Sequence, residues 1–565
     1  MRFFALATDF DGTLADHSSV RDETLEALKR LRKSGRRAIL VTGRILADLE
    51  RVFPHVDAFD MIVAENGGLL FDPRTREETL LGTPADERLI ERLREKLVTP
   101  LDIGRVIVAT WTPYDPVVLE AIRELGLDAQ VIFNKGAVMV LPANVNKATG
   151  LQSALDALGL SLHNVVSVGD AENDLAFLRA SEVGVAVGNA LDSVKAAADI
   201  TVEGARGAGV EELIDRLVDG DLADFDDRES RGIEVGRSES GLERVRPYSG
   251  GVLLVGTSGG GKSTLVTGFV ERLGNAGYQY CLVDPEGDFE SFPGTLTLGS
   301  AEQPPLIEEV LQPLESGQNV SVQLLAVPIG ERPAFFERLA ARLGALRSAA
   351  GRPHWIVMDE AHHLFPHEGE PGSLPGRHSL FFITTKPTLV ASKALENVDT
   401  VLAVGPDAAA TVASAWRHVG LTEGPAHIES KLRRGEALLS TRESLPSVRR
   451  IVVTRGTMEQ RRHRRKYAHG DLAEEKSFYF TGPTSSLNLR AQNLALFVQI
   501  GAGVDDATWQ YHLRRGEYSK WIREALGDDS LADSVALVEA DATADAEQSR
   551  ARIKEEIERC YTASA

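Results

Sequence analysis

The sequence predicts a multidomain α/β protein: a parallel sheet carrying an α/β cap, a second α/β domain, and a small, mostly helical C-terminal module. Three observations predict it. The chain has 565 residues, too many for one hydrophobic core. Short apolar runs alternate with amphipathic segments over residues 1–218 and again over 250–455, the pattern of parallel strands joined by helices. Several of those runs end in acids or glycines, where open α/β sheets place their sites.

The first apolar run, Phe3 to Ala7, leads into Asp9-Phe10-Asp11-Gly12-Thr13-Leu14. Asp9 and Asp11 are expected to project into one crevice, with Gly12 allowing a sharp turn. Two such carboxylates are costly together unless a cation neutralises them or one is protonated. Val20 to Ser34 has Leu25, Leu28 and Leu31 at helical spacing. Ala38 to Val41 reads as a strand ending at Thr42-Gly43-Arg44, and Met61 to Ala64 as another ending at Glu65-Asn66-Gly67-Gly68. Residues 69–143 read as a cap insert, with helices near 85–97 and 115–125 and strands near 105–110, 129–133 and 136–141. Lys147 opens a helix, and the strand Val165 to Val168 runs into Gly169-Asp170-Ala171-Glu172-Asn173-Asp174.

With DFDGTL, VTGR, the lysine of NKATGL and GDAENDLAFL in this order, residues 1–218 resemble a haloacid dehalogenase (HAD) superfamily phosphatase of the Cof, or IIB, type. The resemblance implies a HAD Rossmann-like sheet and hydrolysis of a phosphate monoester through an aspartyl-phosphate. It assigns nucleophilic attack to Asp9 and general acid/base work to Asp11. It implies Mg2+ held by Asp9, Asp170 and the backbone carbonyl of Asp11, with Asp174 supporting that shell. Thr42 and Lys147 would hold the phosphoryl oxygens. Taken singly, Thr42 is a strand-end hydroxyl and Lys147 a solvated helix start; the other motifs change that reading. The cap is short for the Cof group and closer to those of phosphoglycolate or sugar-phosphate phosphatases, so the expected substrate is a small phosphorylated metabolite.

Residues 219–249 read as a polar linker followed by a hairpin. The next strand, Val252 to Val255, feeds Gly256-Thr257-Ser258-Gly259-Gly260-Gly261-Lys262-Ser263-Thr264 and a helix. This is GxxxxGK[ST] in a strand–loop–helix setting, a phosphate-binding loop for ATP. Gly256, Gly259, Gly260 and Gly261 let backbone N–H groups face phosphate oxygens, and Thr264, the next residue after the motif, is expected among the nucleotide-binding residues. Lys262 is expected to reach the β- and γ-phosphates, and Ser263 to bind Mg2+. The strand Trp355 to Met358 ends in Asp359-Glu360-Ala361-His362-His363, which suits Asp359 to the Mg2+ shell and Glu360 to polarising the attacking water. Adjacent helical histidines should not face one way, so packing or a partner contact is expected for His362 and His363 rather than chelation. With Val283 to Phe289, Phe381 to Pro387 and Leu432 to Leu438, residues 231–455 resemble a HerA/FtsK-type, RecA-like P-loop ATPase. Thr385-Lys386 departs from that group's sensor position, and no N-terminal barrel is evident. The resemblance implies a ring-forming homo-oligomer with an arginine supplied by a neighbour; Arg417, Arg433, Arg434 and Arg442 are the candidates.

Residues 456–565 carry a basic cluster, Arg461 to Lys466, read as a solvated face, then an expected helical core from Leu487, Leu489, Leu494, Leu496, Phe497, Ile500, Trp509, Leu513, Tyr518, Trp521 and Ile522. The net charge of −21 disfavours nucleic acid as a general partner. Two distant cysteines, an acid as early as Asp9 and no long apolar run lead us to expect a reducing cytoplasm and no membrane. The functional expectation is a Mg2+-dependent phosphatase coupled to an ATP-binding and hydrolysing domain. The alternative is a HerA-like nucleic-acid motor with an accessory phosphatase. A purely nucleotide-binding switch is disfavoured by Glu360.

Overall fold

The structure is a computed structural model that describes residues 1–225, 231–248, 250–257, 260–289, 292–368, 374–421, 432–457, 472, 477–483, 487–526 and 528–561. Its first sheet has eight strands, with Ala5–Thr8 at the centre. On one side lie Val165–Gly169, Val183–Ala186 and Ile200–Thr201; on the other, Arg37–Val41 and Met61–Ala64, all parallel. These strands are almost continuously apolar because helices cover both faces. The helix expected over 20–34 is Asp22–Lys33, which buries Ala27, Leu28 and Leu31.

The cap starts later than expected. Leu69–Asp72 and Glu77–Leu80 are antiparallel strands that extend the main sheet, so the excursion begins after Leu80. Leu69 to Phe71 are buried against the sheet's own core, which holds that segment there. The cap is a four-stranded antiparallel sheet of Asp102–Ile103, Val108–Trp111, Ala137–Pro142 and Ala129–Asn134, backed by the helices Glu87–Glu95 and Asp115–Leu125. Leu89, Leu93, Val118 and Ala121 pack those helices onto Val108, Val138 and Val140.

The second sheet has eleven strands. Gly251–Val255 lies between Leu380–Thr384 and Val398–Ala403, and Trp355–Met358 lies beyond Leu380–Thr384, all parallel. Tyr280–Asp284, Asn319–Gln323 and Thr295–Leu298 complete that side. The hairpin of the linker region is no separate lead-in. Its strands, Ile233–Ser238 and Gly241–Val245, form the antiparallel edge of this sheet through pairing with Arg449–Val453.

Both sheets belong to one compact unit, residues 1–287 with 291–457. A buried polar cluster joins them. Glu182, fully buried ahead of the strand Val183–Ala186, accepts from Arg2 Nη2 at 2.7 Å and from the Tyr278 hydroxyl at 3.0 Å. It also pairs with His163 Nδ1 at 2.7 Å. The His163 ring stacks on Tyr278 at 3.8 Å, and its Nε2 lies 2.9 Å from the Ala276 carbonyl. Ala276 caps the helix Lys262–Asn275 at the end opposite Gly261.

Residues 458–565, with 288–290, form the other unit. Its core gathers Phe478, Phe480, Phe497, Trp509, Tyr518 and Trp521 among the helices Leu494–Gly503, Asp506–Leu513, Glu517–Trp521, Asp529–Ala540 and Ala546–Tyr561. Leu487 and Leu489 are not helical: Leu489 opens an edge strand, Leu489–Ala491, paired with Phe478–Phe480. The basic cluster Arg461 to Lys466 lies outside the described residues. Among the described residues no helix is long and apolar enough to cross a membrane.

Candidate active site

Register brings the acids of the first sheet together. Thr8 pairs with both Val168 and Leu40, so Asp9, Asp170 and Thr42 emerge at one edge just beyond their strands. The Asp9 amide donates to the Val168 carbonyl at 3.0 Å, and that of Thr42 to the Val63 carbonyl at 2.8 Å. Gly12 has φ +88°, and a Cβ there would sit 2.5 Å from Asp170 Oδ2, so both backbone and space require glycine.

Lys147 is brought in by the start of its helix, Lys147–Leu158. Asn146 caps that helix, accepting from Ala148 N at 2.9 Å and Thr149 N at 3.2 Å in a capping box. Gly150 lets the helix approach the turn at Gly67: a Cβ there would lie 2.4 Å from Val63 Cγ1.

At the centre, Lys147 Nζ donates to Asp9 Oδ1 at 2.5 Å and to Asp174 Oδ1 at 2.6 Å, with all three side chains buried. The other oxygen of Asp174 accepts from the amides of Asp170 and Ala171, each at 2.9 Å. Lys147 is no solvated helix start. Burial works against its charge, but Asp174 and Asp9 hold its pKa above the ordinary range. Burial and the Asp174 charge push Asp9 up to about 8, against the pull of Lys147. Burial likewise raises Asp170, although Lys135 and Thr13 pull the other way.

Asp9, Asp170 and Asp174 offer oxygens within 4.8 Å of one another. An all-oxygen set of buried carboxylates, two of them raised in pKa, fits a hard divalent cation such as Mg2+. Asp9 sets a test of that fit. Its folded pKa of about 8 exceeds its ordinary 3.8, so the stability it contributes is present at low pH and lost as pH rises to about 8. Metal-free protein should lose thermal stability across that window, and Mg2+ should raise the melting midpoint more at pH 8 than at pH 5. Calorimetric scans with and without Mg2+ check this; an equal shift at both pH values contradicts it.

Asp11 sits apart from the acid cluster. Its carboxylate takes a bidentate pair from Arg44, Nε to Oδ2 and Nη2 to Oδ1, both at 2.6 Å. Arg44 also donates to Asp48 at 2.7 Å and Ser18 at 2.6 Å. Thr42 is buried, its Oγ1 accepting from the Arg44 amide at 3.1 Å. Two cations at the site had no expected role: Arg44, and Lys135 of the cap, whose Nζ lies 2.6 Å from Asp170 Oδ2. Arg44 was signalled by its place in VTGR; nothing in the local sequence signalled Lys135.

The second sheet gathers its own set. Val255 pairs with Thr384, and Met358 with Phe382, so the Gly256 loop, Asp359 and Thr384 share one edge. Gly261, at φ +104°, precedes Lys262–Asn275, which begins with Lys262, Ser263 and Thr264. Lys262 Nζ donates to the Gly256 carbonyl at 2.7 Å, and Gly260 N to the Thr257 carbonyl at 3.0 Å. Gly259 lies outside the described residues. Asp359 is buried. Glu360 has left-handed backbone, φ +38°, and its buried Oε2 has no hydrogen-bond partner, His362 Nδ1 lying 3.4 Å from it. Burial and the Asp359 charge push it up to about 7.

His362 and His363 do face one another, with rings 4.3 Å apart, because Ala361–His363 is a tight 3-10 turn and not an α-helix. His362 Nδ1 lies 3.2 Å from Thr384 Oγ1, and His363 Nε2 lies 3.7 Å from Glu286. Among the described residues no metal-binding group includes them. Of the arginines, Arg442 is tied to the carbonyls of Glu396 and Val398 at 3.1 and 3.0 Å, and Arg417 Nε to that of Ala413 at 3.3 Å.

Residues 6–100 and 119–214 match the family model of haloacid dehalogenase-like hydrolases. A phosphoglycolate phosphatase of Methanothermobacter thermautotrophicus is 32% identical over 224 residues, covering 38% of this chain and 98% of that protein. One from Methanobrevibacter smithii is 30% identical over 233 residues, covering 39% of this chain and 100% of that protein. Among solved structures, a haloacid dehalogenase-like hydrolase from Bacteroides thetaiotaomicron is 22% identical with a TM-score of 0.34, covering 38% of this chain and 99% of that one.

Proposed function

Through roughly its first 220 residues the chain belongs to the haloacid dehalogenase-like hydrolases, and from that premise we propose a Mg2+-dependent phosphatase of small phosphorylated metabolites. The observation that carries this is the buried cluster of Asp9, Asp170 and Asp174 around Lys147 at one sheet edge. The relatives' names point to 2-phosphoglycolate; sugar phosphates, the other class that the short cap suggests, come second.

Asp9, Asp170 and the Asp11 carbonyl would hold Mg2+, with Asp174 behind them; the ion would offset charge on the transferring phosphoryl group. Asp9 attacks phosphorus, forming the aspartyl-phosphate as the ester P–O bond breaks. Asp11 gives its proton to the leaving oxygen, then takes one from the water that hydrolyses the acyl phosphate. The Arg44 pair must loosen for Asp11 to reach the leaving oxygen, because both of its carboxylate oxygens accept from that guanidinium. Lys147 fixes Asp9 and, with the Thr42 hydroxyl, steadies the phosphoryl oxygens. The test is release of inorganic phosphate from 2-phosphoglycolate and a sugar-phosphate panel with Mg2+ and with EDTA. No Mg2+-dependent release from any of them refutes the reading.

The second sheet supports a further activity, ATP hydrolysis. Lys262 beside Gly256 heads a helix whose N-terminus favours phosphate. Glu360, poised near neutrality and short of a hydrogen-bond partner, suits the group that orients water. One strand separates the loop strand from the Asp359 strand. Lys262→Ala should lower ATP turnover by at least about a hundredfold, and coupled-assay turnover that is unchanged sinks the assignment. A motor acting on nucleic acid is the second reading; ATP turnover unaffected by added DNA at low salt removes it.

A further inference from the structure

We propose that Lys135 is the residue by which the cap selects substrate, binding a second anionic group, a carboxylate, on a short phosphomonoester. The inference rests on the phosphatase reading and decides between its two substrate classes.

Lys135 occupies an unfavourable place for its type. The cap strands Ala129–Asn134 and Ala137–Pro142 are joined by two residues, with Asn134 opposite Ala137. Lys135 has φ +47° and Gly136 φ +91°, the left-handed pair of a tight hairpin turn. That first position suits Asn, Asp or Gly, and a long side chain there is strained. Strain of this kind persists where the side chain has a task.

The turn carries the ammonium across to the catalytic sheet, where Nζ lies 2.6 Å from Asp170 Oδ2 and beside the Gly12 loop. The site's other two cations serve the acids and the phosphoryl group. Lys147 is buried between Asp9 and Asp174, and Arg44 is shared among Asp11, Asp48 and Ser18. Lys135 has one ion pair, leaves two of its three N–H donors unspent, and keeps 46% of its side chain exposed.

Its reach sets the ligand's size. Asp9 and Asp170 offer oxygens within 4.8 Å, and Lys135 stands one ion-pair length beyond Asp170. A phosphoryl group on Asp9 and a carboxylate on Lys135 are therefore bridged by a substrate with a very short carbon chain. A neutral sugar tail would leave the ammonium without an anion from the substrate.

The test compares 2-phosphoglycolate with ethyl phosphate, the same ester without its carboxylate. We expect wild-type protein to prefer 2-phosphoglycolate in kcat/KM by at least tenfold. Lys135→Ala should collapse that ratio toward one, mainly through KM for 2-phosphoglycolate, and Lys135→Arg should restore most of it. Calorimetric binding of both esters to the Asp9→Asn protein, with and without Lys135→Ala, reads the same ratio without turnover. A ratio that Lys135→Ala leaves unchanged overturns the inference and spares the phosphatase reading. Wild-type protein that turns over neither these esters nor any sugar phosphate overturns both.

Discussion

Asp9→Asn should lower phosphate release by on the order of 10⁴-fold or more while leaving the ATP turnover proposed for the second sheet untouched. The amide keeps the shape of the side chain and still accepts from Lys147, but it is no nucleophile at phosphorus. Folding should not suffer. Asp9 is pushed up to about 8 by burial and by Asp174, so its ionised form is held at a cost in the metal-free protein at pH above 8. A neutral isostere removes that cost, and the variant should melt no lower than wild type in EDTA at pH 8.5. The pairing of lost phosphate release with an unchanged or raised melting midpoint separates a chemical role from a structural one. Phosphate release within tenfold of wild type ends the assignment of Asp9 as nucleophile.

Asp9, Thr42 and Asp170 were legible because each sits at the end of its own strand. They follow Thr8, Val41 and Gly169 in the chain, and parallel register alone brings them to one edge. Lys147 was legible through its motif, though its burial was not: that depends on Gly150 letting the helix sit against Gly67. What could not be read were partners chosen across the fold. Arg44 clamps Asp11 from a strand end 33 positions away. Lys135 meets Asp170 only because the cap folds over the sheet. The cap's boundary was misplaced for the same reason, since Leu69–Asp72 could satisfy its backbone in either sheet and its apolar contacts decide. In the second sheet, the sequence makes the paired histidines helical neighbours, and a 3-10 turn sets them face to face.

Glu182 was also silent in the sequence, and its removal should have the largest effect on stability. It is fully buried and satisfies Arg2, His163 and the Tyr278 hydroxyl at once. Burial tends to raise its pKa, but His163 and Arg2 hold it below the ordinary value. Glu182→Ala leaves those donors facing an empty site, and breaking such a buried pair costs about 3–5 kcal/mol. Glu182→Gln keeps the volume and one acceptor and should cost less. The pH dependence follows from the lowered pKa: the ionised carboxylate stabilises above its ordinary 4.5, and that contribution is lost as pH falls through the lower folded value. The gap between wild type and Glu182→Gln should therefore be wide at pH 7 and close as the solution is taken below pH 4.5. The cluster also stands between the two sheets, against the Ala276 end of the helix that starts at Lys262. Residues 1–287 and 291–457 form one compact unit, so the wild-type protein should unfold both sheets in one step, and loss of the cluster should let them unfold in separate steps. Differential scanning calorimetry of the full chain reads both effects. A Glu182→Ala protein with the wild-type melting profile would show that the two sheets are held together elsewhere.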